Sequence, residues 1–239
     1  MLNPVFDLKE IILEKKPWLK PGFFFMQTSM FITFEGIEGC GKSTQISLLK
    51  NHLVAQGKDV LLTREPGGTE IADQIRSLLV KTANEKLTPT SELLLYYASR
   101  AQHVQVKILP ALKDGKIVLC DRFNDSSVVY QGVARGGQPE DIRFLSDMVL
   151  KGQGPDLTFV LDMPVAEGLR RAQKRSDAQD EEDREDRFEK EQISFHQKVR
   201  NGFLQLAKNE PRRIKIIDAT LSVSEVHASI VKHVAVFET

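Results

Sequence analysis

Gly36-Ile37-Glu38-Gly39-Cys40-Gly41-Lys42-Ser43 fits the phosphate-loop pattern Gly-x-x-x-x-Gly-Lys-[Ser/Thr] without a gap. The apolar run Phe31-Ile32-Thr33-Phe34 before it reads as a buried strand. After it, Ile46, Leu48, Leu49 and Leu53 recur with helical spacing. A strand, a glycine-rich turn and a helix N-terminus in that order make an anion site. Backbone N–H groups converge on phosphate oxygens and the helix dipole favours negative charge. Glycine lets the backbone come close and adopt positive φ. Lys42 adds a flexible charge for the β- and γ-phosphates, and the Ser43 hydroxyl suits Mg²⁺.

Beyond the loop, short apolar runs alternate with helical patterns. Residues 59–63, 116–120, 157–161 and 213–217 read as further strands, the last three followed by Asp121, Asp162 and Asp218. Helices are expected at Ser43–Leu53, Thr69–Lys81, Ser91–Lys113, 122–134, 140–151, 165–174, 188–208 and 223–236. Ser222 and Glu225 form a capping box for the last. Such alternation predicts an α/β three-layer fold with a five-stranded parallel sheet covered on both faces. Ligands then collect at the carboxyl ends of the strands.

At 239 residues the chain suits one large domain. Lys+Arg and Asp+Glu balance at 33 each, so no net field favours nucleic acid or an anionic membrane. Two cysteines, Cys40 and Cys120, make no disulfide framework and point to a reducing compartment. No apolar run approaches a membrane span. Residues 1–29 look unlike the rest: Asp7 to Lys16 has the pattern of a short amphipathic helix, and Met26 and Met30 are alternative starts. The expected division is a non-catalytic extension over 1–29 and a single catalytic domain over 30–239.

Several other groups carry chemistry, each with a plainer reading beside it. Asp121 and Arg122 at a strand end either form a turn or hold Mg²⁺ and a phosphate beside the loop. Glu38 repels phosphate, so it either complements the helix N-terminus or faces a neutral partner such as a sugar hydroxyl. Arg64-Glu65-Pro66-Gly67-Gly68-Thr69 is a stiff turn ending in a helix cap. Tyr96 and Arg100, four apart on a helix, are either a core aromatic with a surface arginine or a clamp for a planar base. Arg175 to Arg187 is dense in charge without an apolar face, and reads as a solvated loop or a mobile lid.

Together these stretches resemble the thymidylate kinase family in its bacterial form, from about Met30 to the C-terminus. The resemblance rests on Phe34 to Thr44, Thr63 to Thr69, Asp121-Arg122-Phe123, Tyr130-Gln131-Gly132, Pro155 to Thr158 and Asp186-Arg187-Phe188-Glu189. It implies phosphoryl transfer from ATP to dTMP with Mg²⁺, in a cytoplasmic homodimer. By position it assigns ATP to Gly36, Ile37, Glu38, Gly39, Cys40, Gly41, Lys42, Ser43 and Thr44, with Arg171 and Arg187. Ser43 and Asp121 go to the metal. Glu38 is assigned the sugar 3′-hydroxyl of dTMP, Tyr96 and Arg100 the thymine, and Arg122 a bridge between the transferring and accepting phosphates. Ser127 and Tyr130 crowd the sugar, and Arg64, Glu65 and Gln131 complete the dTMP side. Some relatives carry a catalytic arginine in the phosphate loop. Gly39 stands there in this chain, so the resemblance moves that role to a lid over about 175–187, and to Arg175 within it. The lid is lengthened by the acidic insert Ser176 to Glu185, which contains Arg184. Two rivals stay open: another nucleotide or deoxynucleoside kinase of the same architecture, and a nucleotide-dependent switch without catalysis.

Overall fold

A computed structural model describes residues 29–80, 85–176, 187–188 and 191–238. The expectations for residues 1–28, for Lys81 and for the body of the acidic insert, including Arg184, lie outside the described residues. The five strands are β1 (Met30–Glu35), β2 (Val60–Arg64), β3 (Ile117–Asp121), β4 (Leu157–Asp162) and β5 (Ile214–Asp218). They form one parallel sheet in the order β2-β3-β1-β4-β5. Burial follows that order. Every residue of central β1 is buried, whereas edge strands β2 and β5 are only partly so. A strand covered on both faces is mostly apolar, and β1 hides its one hydroxyl by pairing Thr33 Oγ1 with Thr158 Oγ1 at 2.7 Å.

The helices are α1 (Lys42–Ala55), α2 (Glu70–Val80), α3 (Pro89–His103), α4 (Leu109–Lys113), α5 (Asn124–Ser127), α6 (Pro139–Leu150), α7 (Val165–Ser176), α8 (Ile193–Asn209) and α9 (Val223–Glu238). They cover both sides of the sheet; α1 packs on α9, and α3 on α2 and α6. The predicted helix Ser91–Lys113 starts earlier, at Pro89, because Thr88 caps it by accepting from the Ser91 N–H at 3.2 Å. It runs on to Lys113 through a wider π-type turn over Val104–Ile108. That turn directly precedes Pro110, which has no N–H to give and whose ring would crowd the preceding turn of an α-helix. A second wide turn, Val128–Ala134, continues α5. The predicted helix over 188–208 begins only at Ile193, because Phe188 instead folds over Tyr130 and Phe195, with ring centroids 5.5 and 6.5 Å away. The Ser222–Glu225 capping box forms as expected, with Ser222 N–H donating to Glu225 at 3.0 Å and Glu225 N–H to Ser222 at 3.3 Å.

β1 and β3 lie side by side with Phe34 opposite Asp121. The phosphate loop and the Asp121-Arg122 turn therefore leave the sheet from neighbouring strand ends. That register places the site.

Candidate active site

A cleft of about 590 Å³ opens over those strand ends. At one end is the phosphate loop. Gly36, Gly39 and Gly41 have φ of 133°, 72° and 95°, a region that favours glycine. Gly39 is also sterically fixed: a Cβ there would fall 2.0 Å from the carbonyl oxygen of Gly168 on α7. The contact is reciprocal, since a Cβ on Gly168 would meet the Glu38 carbonyl oxygen at 2.7 Å. α1 begins at Lys42 with no acidic side chain in its first turn, so its N–H groups remain a positive end. Lys42 Nζ donates to the carbonyl oxygens of Ile37 at 3.0 Å and Gly36 at 3.3 Å, curling over its own loop.

Ser43 Oγ donates to Asp121 Oδ2 at 3.1 Å. Among the described residues no group of three or more His, Cys, Asp or Glu side chains could hold a metal ion. Two protein oxygens beside a phosphate site nevertheless fit Mg²⁺. That ion keeps several waters and takes its other ligands from phosphate.

Arg122 stands at the middle of the cleft in a left-handed conformation, φ 64°, unusual for a residue with a side chain. Its Nη1 donates to the Gly36 carbonyl at 2.9 Å, its Nη2 to Glu38 Oε1 at 3.1 Å, and its guanidinium lies 5.1 Å from the Tyr130 ring centroid. Tyr130 donates its hydroxyl to the same Glu38 Oε1 at 2.6 Å. Burial pushes the Glu38 carboxyl up. His196, the charges of Arg122 and Lys42, and the Tyr130 hydroxyl outweigh it and hold the group well below the usual carboxylate range. Burial raises the Tyr130 phenol too, and here it prevails and holds the group far above its ordinary value, so it stays a donor.

The far end is built from buried side chains. Tyr96, half-buried, and Arg100 both line the cleft as the helical spacing predicts. Arg100, however, is not a surface arginine: its relative exposure is 1%. Its Nε donates to Glu65 Oε2 at 2.7 Å and its Nη2 to the Phe123 carbonyl at 3.1 Å, while the guanidinium lies over Tyr97 at 4.8 Å. Glu65 is the hinge of this group, holding His103 Nδ1 at 2.9 Å with its other oxygen. Burial works against the Arg100 charge, but Glu65 more than offsets it and raises its pKa above the ordinary value.

Gln131 lines the cleft and donates Nε2 to Glu92 Oε1 at 2.8 Å. Arg135 donates to that oxygen at 2.9 Å, and Arg187 closes a very short pair with the other. A carboxylate only accepts, so Glu92 fixes the Gln131 amide with its N–H₂ towards Glu92.

Two expected residues, Ser127 and Arg187, do not line the cleft. Ser127 does not reach the cleft: it is buried, its Oγ has no partner among the described residues, and its neighbour Ser126 lines the cleft instead. The turn of α5 presents only one of the two serines. Arg187, expected on the ATP side, is committed to Glu92 and to the Leu79 carbonyl at 2.6 Å, so the structure does not bring it to the phosphate loop. Arg64 lines the cleft at its exposed rim, 3.4 Å from Asp73. Arg171 and Arg175 on α7 do line the cleft, as does Thr44. Glu92, Arg135, His103 and His196 escaped the sequence reading. Three are polar residues on helices and Arg135 follows the wide turn after α5; only a distant partner gives each its meaning.

The family model described as thymidylate kinase matches residues 34–230. The thymidylate kinase of Geotalea daltonii is 54% identical over 200 residues, covering 84% of this chain and 94% of that one. The thymidylate kinase of Trichlorobacter lovleyi is 55% identical over 201 residues, with 84% and 94% covered. The crystal structure of thymidylate kinase from Ehrlichia chaffeensis superposes with a TM-score of 0.68 at 36% identity, covering 85% of this chain and 97% of that chain.

Proposed function

The chain belongs to the thymidylate kinase family and phosphorylates dTMP to dTDP with ATP, in dTTP synthesis; from that premise we propose how the cleft divides the work. The loop amides, Lys42 and Thr44 take the ATP phosphates. Ser43 and Asp121 would hold Mg²⁺, which would supply positive charge against the ATP phosphates. The base of dTMP lies against Tyr96, with Arg100 donating to a ring carbonyl and the Gln131 carbonyl oxygen accepting from the ring N–H. Glu38 accepts the 3′-hydroxyl, and Tyr130 occupies the space a ribose 2′-hydroxyl would need.

In the reaction a 5′-phosphate oxygen of dTMP attacks the γ-phosphorus of ATP. The bond from that phosphorus to the β,γ-bridging oxygen breaks, and ADP leaves. Arg122 spans accepting and transferring phosphates, while Arg175, with Arg171 beside it, stabilises charge on the transferred group. No covalent nucleophile is needed, because such chemistry rests on positioning and electrostatics.

The observation that carries this division is the Arg122–Glu38–Tyr130 cluster, which joins the phosphate loop to the sugar end through hydrogen bonds of 2.6 and 3.1 Å. Comparing ADP formation with dTMP, dUMP, AMP and thymidine tests it. A clear preference for dTMP is expected, and equal turnover of AMP would overturn the assignment.

Residues 1–29 are proposed to be dispensable for catalysis, and the cytoplasm is the proposed compartment. A homodimer is proposed through α2, α3 and α6, where Ile71, Leu78, Leu94, Phe144 and Met148 are exposed. Light scattering of the purified chain reads the mass directly.

A further inference from the structure

His196 on α8 is fully buried and does not line the cleft. Its Nδ1 lies 3.2 Å from Glu38 Oε2. The contact is close but off the line of a hydrogen bond, and among the described residues neither ring nitrogen nor Oε2 has a hydrogen-bond partner. Buried polar atoms without partners are rare, and two facing each other at 3.2 Å call for a reason. The Glu38 carboxylate is thus lopsided. Oε1 is taken up by Tyr130 and Arg122, while Oε2 is sealed from solvent against an imidazole.

We propose that His196 is a positioning residue for the sugar end of the acceptor. It donates Nδ1–H to Glu38 Oε2 when dTMP seats, and so sets the plane in which the carboxylate meets the 3′-hydroxyl. The inference rests on the reading of Glu38 as partner of that hydroxyl. A carboxylate cannot donate, so the pairing selects the tautomer with the proton on Nδ1. The ring is otherwise held by packing, edge-on to Phe195 with centroids 5.5 Å apart. α8 is also the helix into which Arg187 and Phe188 lead.

The test compares kcat/KM for dTMP and for its 3′-deoxy analogue. His196→Phe keeps the ring but cannot donate. It is expected to raise KM for dTMP about tenfold, the worth of one hydrogen bond to a charged group, and to cut the preference over the 3′-deoxy analogue by a similar factor. KM for ATP should stay within about twofold. His196→Asn places an N–H near the Nδ1 position and restores most of the preference; His196→Gln, which reaches the Nε2 position, does not. An unchanged preference in His196→Phe, or an equal loss for both substrates, overturns the proposal. Glu38→Gln with His196 intact separates the two readings: if that variant keeps the full preference, it is the Glu38 assignment that fails. In the unmutated chain, ¹⁵N NMR of the imidazole with dTMP added should show the Nδ1-protonated form, and the Nε2-protonated tautomer would overturn it.

Discussion

The two ends of the cleft are made of different material. The phosphate end is backbone: three left-handed glycines, a helix N-terminus and a lysine folded onto its own loop, all between Gly36 and Ser43. The acceptor end is side chain. Glu65 follows β2, Arg100 and Glu92 sit on α3, and Gln131 lies in the wide turn after α5, all buried and mutually paired. A backbone site stays in place when one side chain is lost. A site of interlocked charges loses support wherever one partner goes, because the other is left buried and uncompensated. Losses at the phosphate end should therefore appear in rate, and losses at the acceptor end in rate and stability together.

Arg175→Ala is the sharpest probe of the first half of that contrast. An arginine that stabilises the transferred phosphoryl group contributes about 10³–10⁵ in rate. Turnover should fall by that order, while ATP affinity and the thermal midpoint stay near those of the unmutated chain. Unchanged turnover would show that Arg175 is not the arginine that acts.

Glu65→Ala probes the second half. It strands Arg100, whose Nε now bonds Glu65 at 2.7 Å, and removes the Nδ1 partner of His103 at 2.9 Å. Breaking one partner of a buried pair costs about 3–5 kcal/mol. Denaturant unfolding should show a loss of that size, with a raised KM for dTMP and little change in KM for ATP. A stable variant with normal dTMP kinetics would make the acceptor end as tolerant as the phosphate end and remove the contrast.

The same contrast governed how far the sequence could be read. The Gly36–Ser43 loop is local, so its pattern, its strand and its helix were all visible in one run of residues. The strands were found within a residue or so because the buried central ones are continuous apolar runs. The α8 boundary moved because Phe188 gains more by covering Tyr130 than by extending a helix, which is a tertiary preference. Ser126 and Ser127 are both hydroxyls, and only the orientation of a short helix chooses between them. Arg187 resembles a phosphate ligand until Glu92, on α3, claims it. His196 carries no signal in its own neighbourhood, and its partner Glu38 lies on the far side of the chain.

Between the two ends lies a pair of carboxylates with opposite behaviour. Glu38 is held ionised, as described. Glu35, at the end of β1, is raised to about 7: burial is the main cause and Asp125 adds repulsion, against Arg122, the Ser126 hydroxyl at 2.6 Å and the Phe123 N–H at 2.8 Å. A folded pKa above the unfolded one means the folded chain binds more protons between the two values, so stability falls as pH rises through that window. For Glu35 the window runs from about 4.5 to about 7, and the loss is on the order of 3 kcal/mol. Glu38 has the opposite sign, but its window lies below the ordinary carboxylate pKa, so it adds no slope above pH 5. Glu35 should therefore make the unfolding free energy decline from about pH 5 to pH 7, against the rise contributed by His227 and His233, whose pKa values burial lowers, and Glu35→Gln should remove that decline. An equal slope in both proteins would assign it to other groups.

The smallest of these effects is at Gly39, and it tests whether the backbone end is as self-sufficient as it looks. Gly39→Ala adds one methyl group in a left-handed conformation, 2.0 Å from the Gly168 carbonyl oxygen. That distance is impossible, so either the loop or α7 must shift. A displacement near 1 Å at a reacting centre costs about 10²-fold in kcat/KM. The loss should fall on ATP and dTMP turnover alike, because α7 carries Arg171 and Arg175 while the loop carries Glu38. Gly168→Ala should reproduce it from the other side, since its Cβ would meet the Glu38 carbonyl at 2.7 Å. The combined variant should lose less than the product of the two, because a single displacement relieves both contacts. Full additivity would mean that loop and helix move independently. The arginine helix would then have to find the phosphates without the loop's guidance.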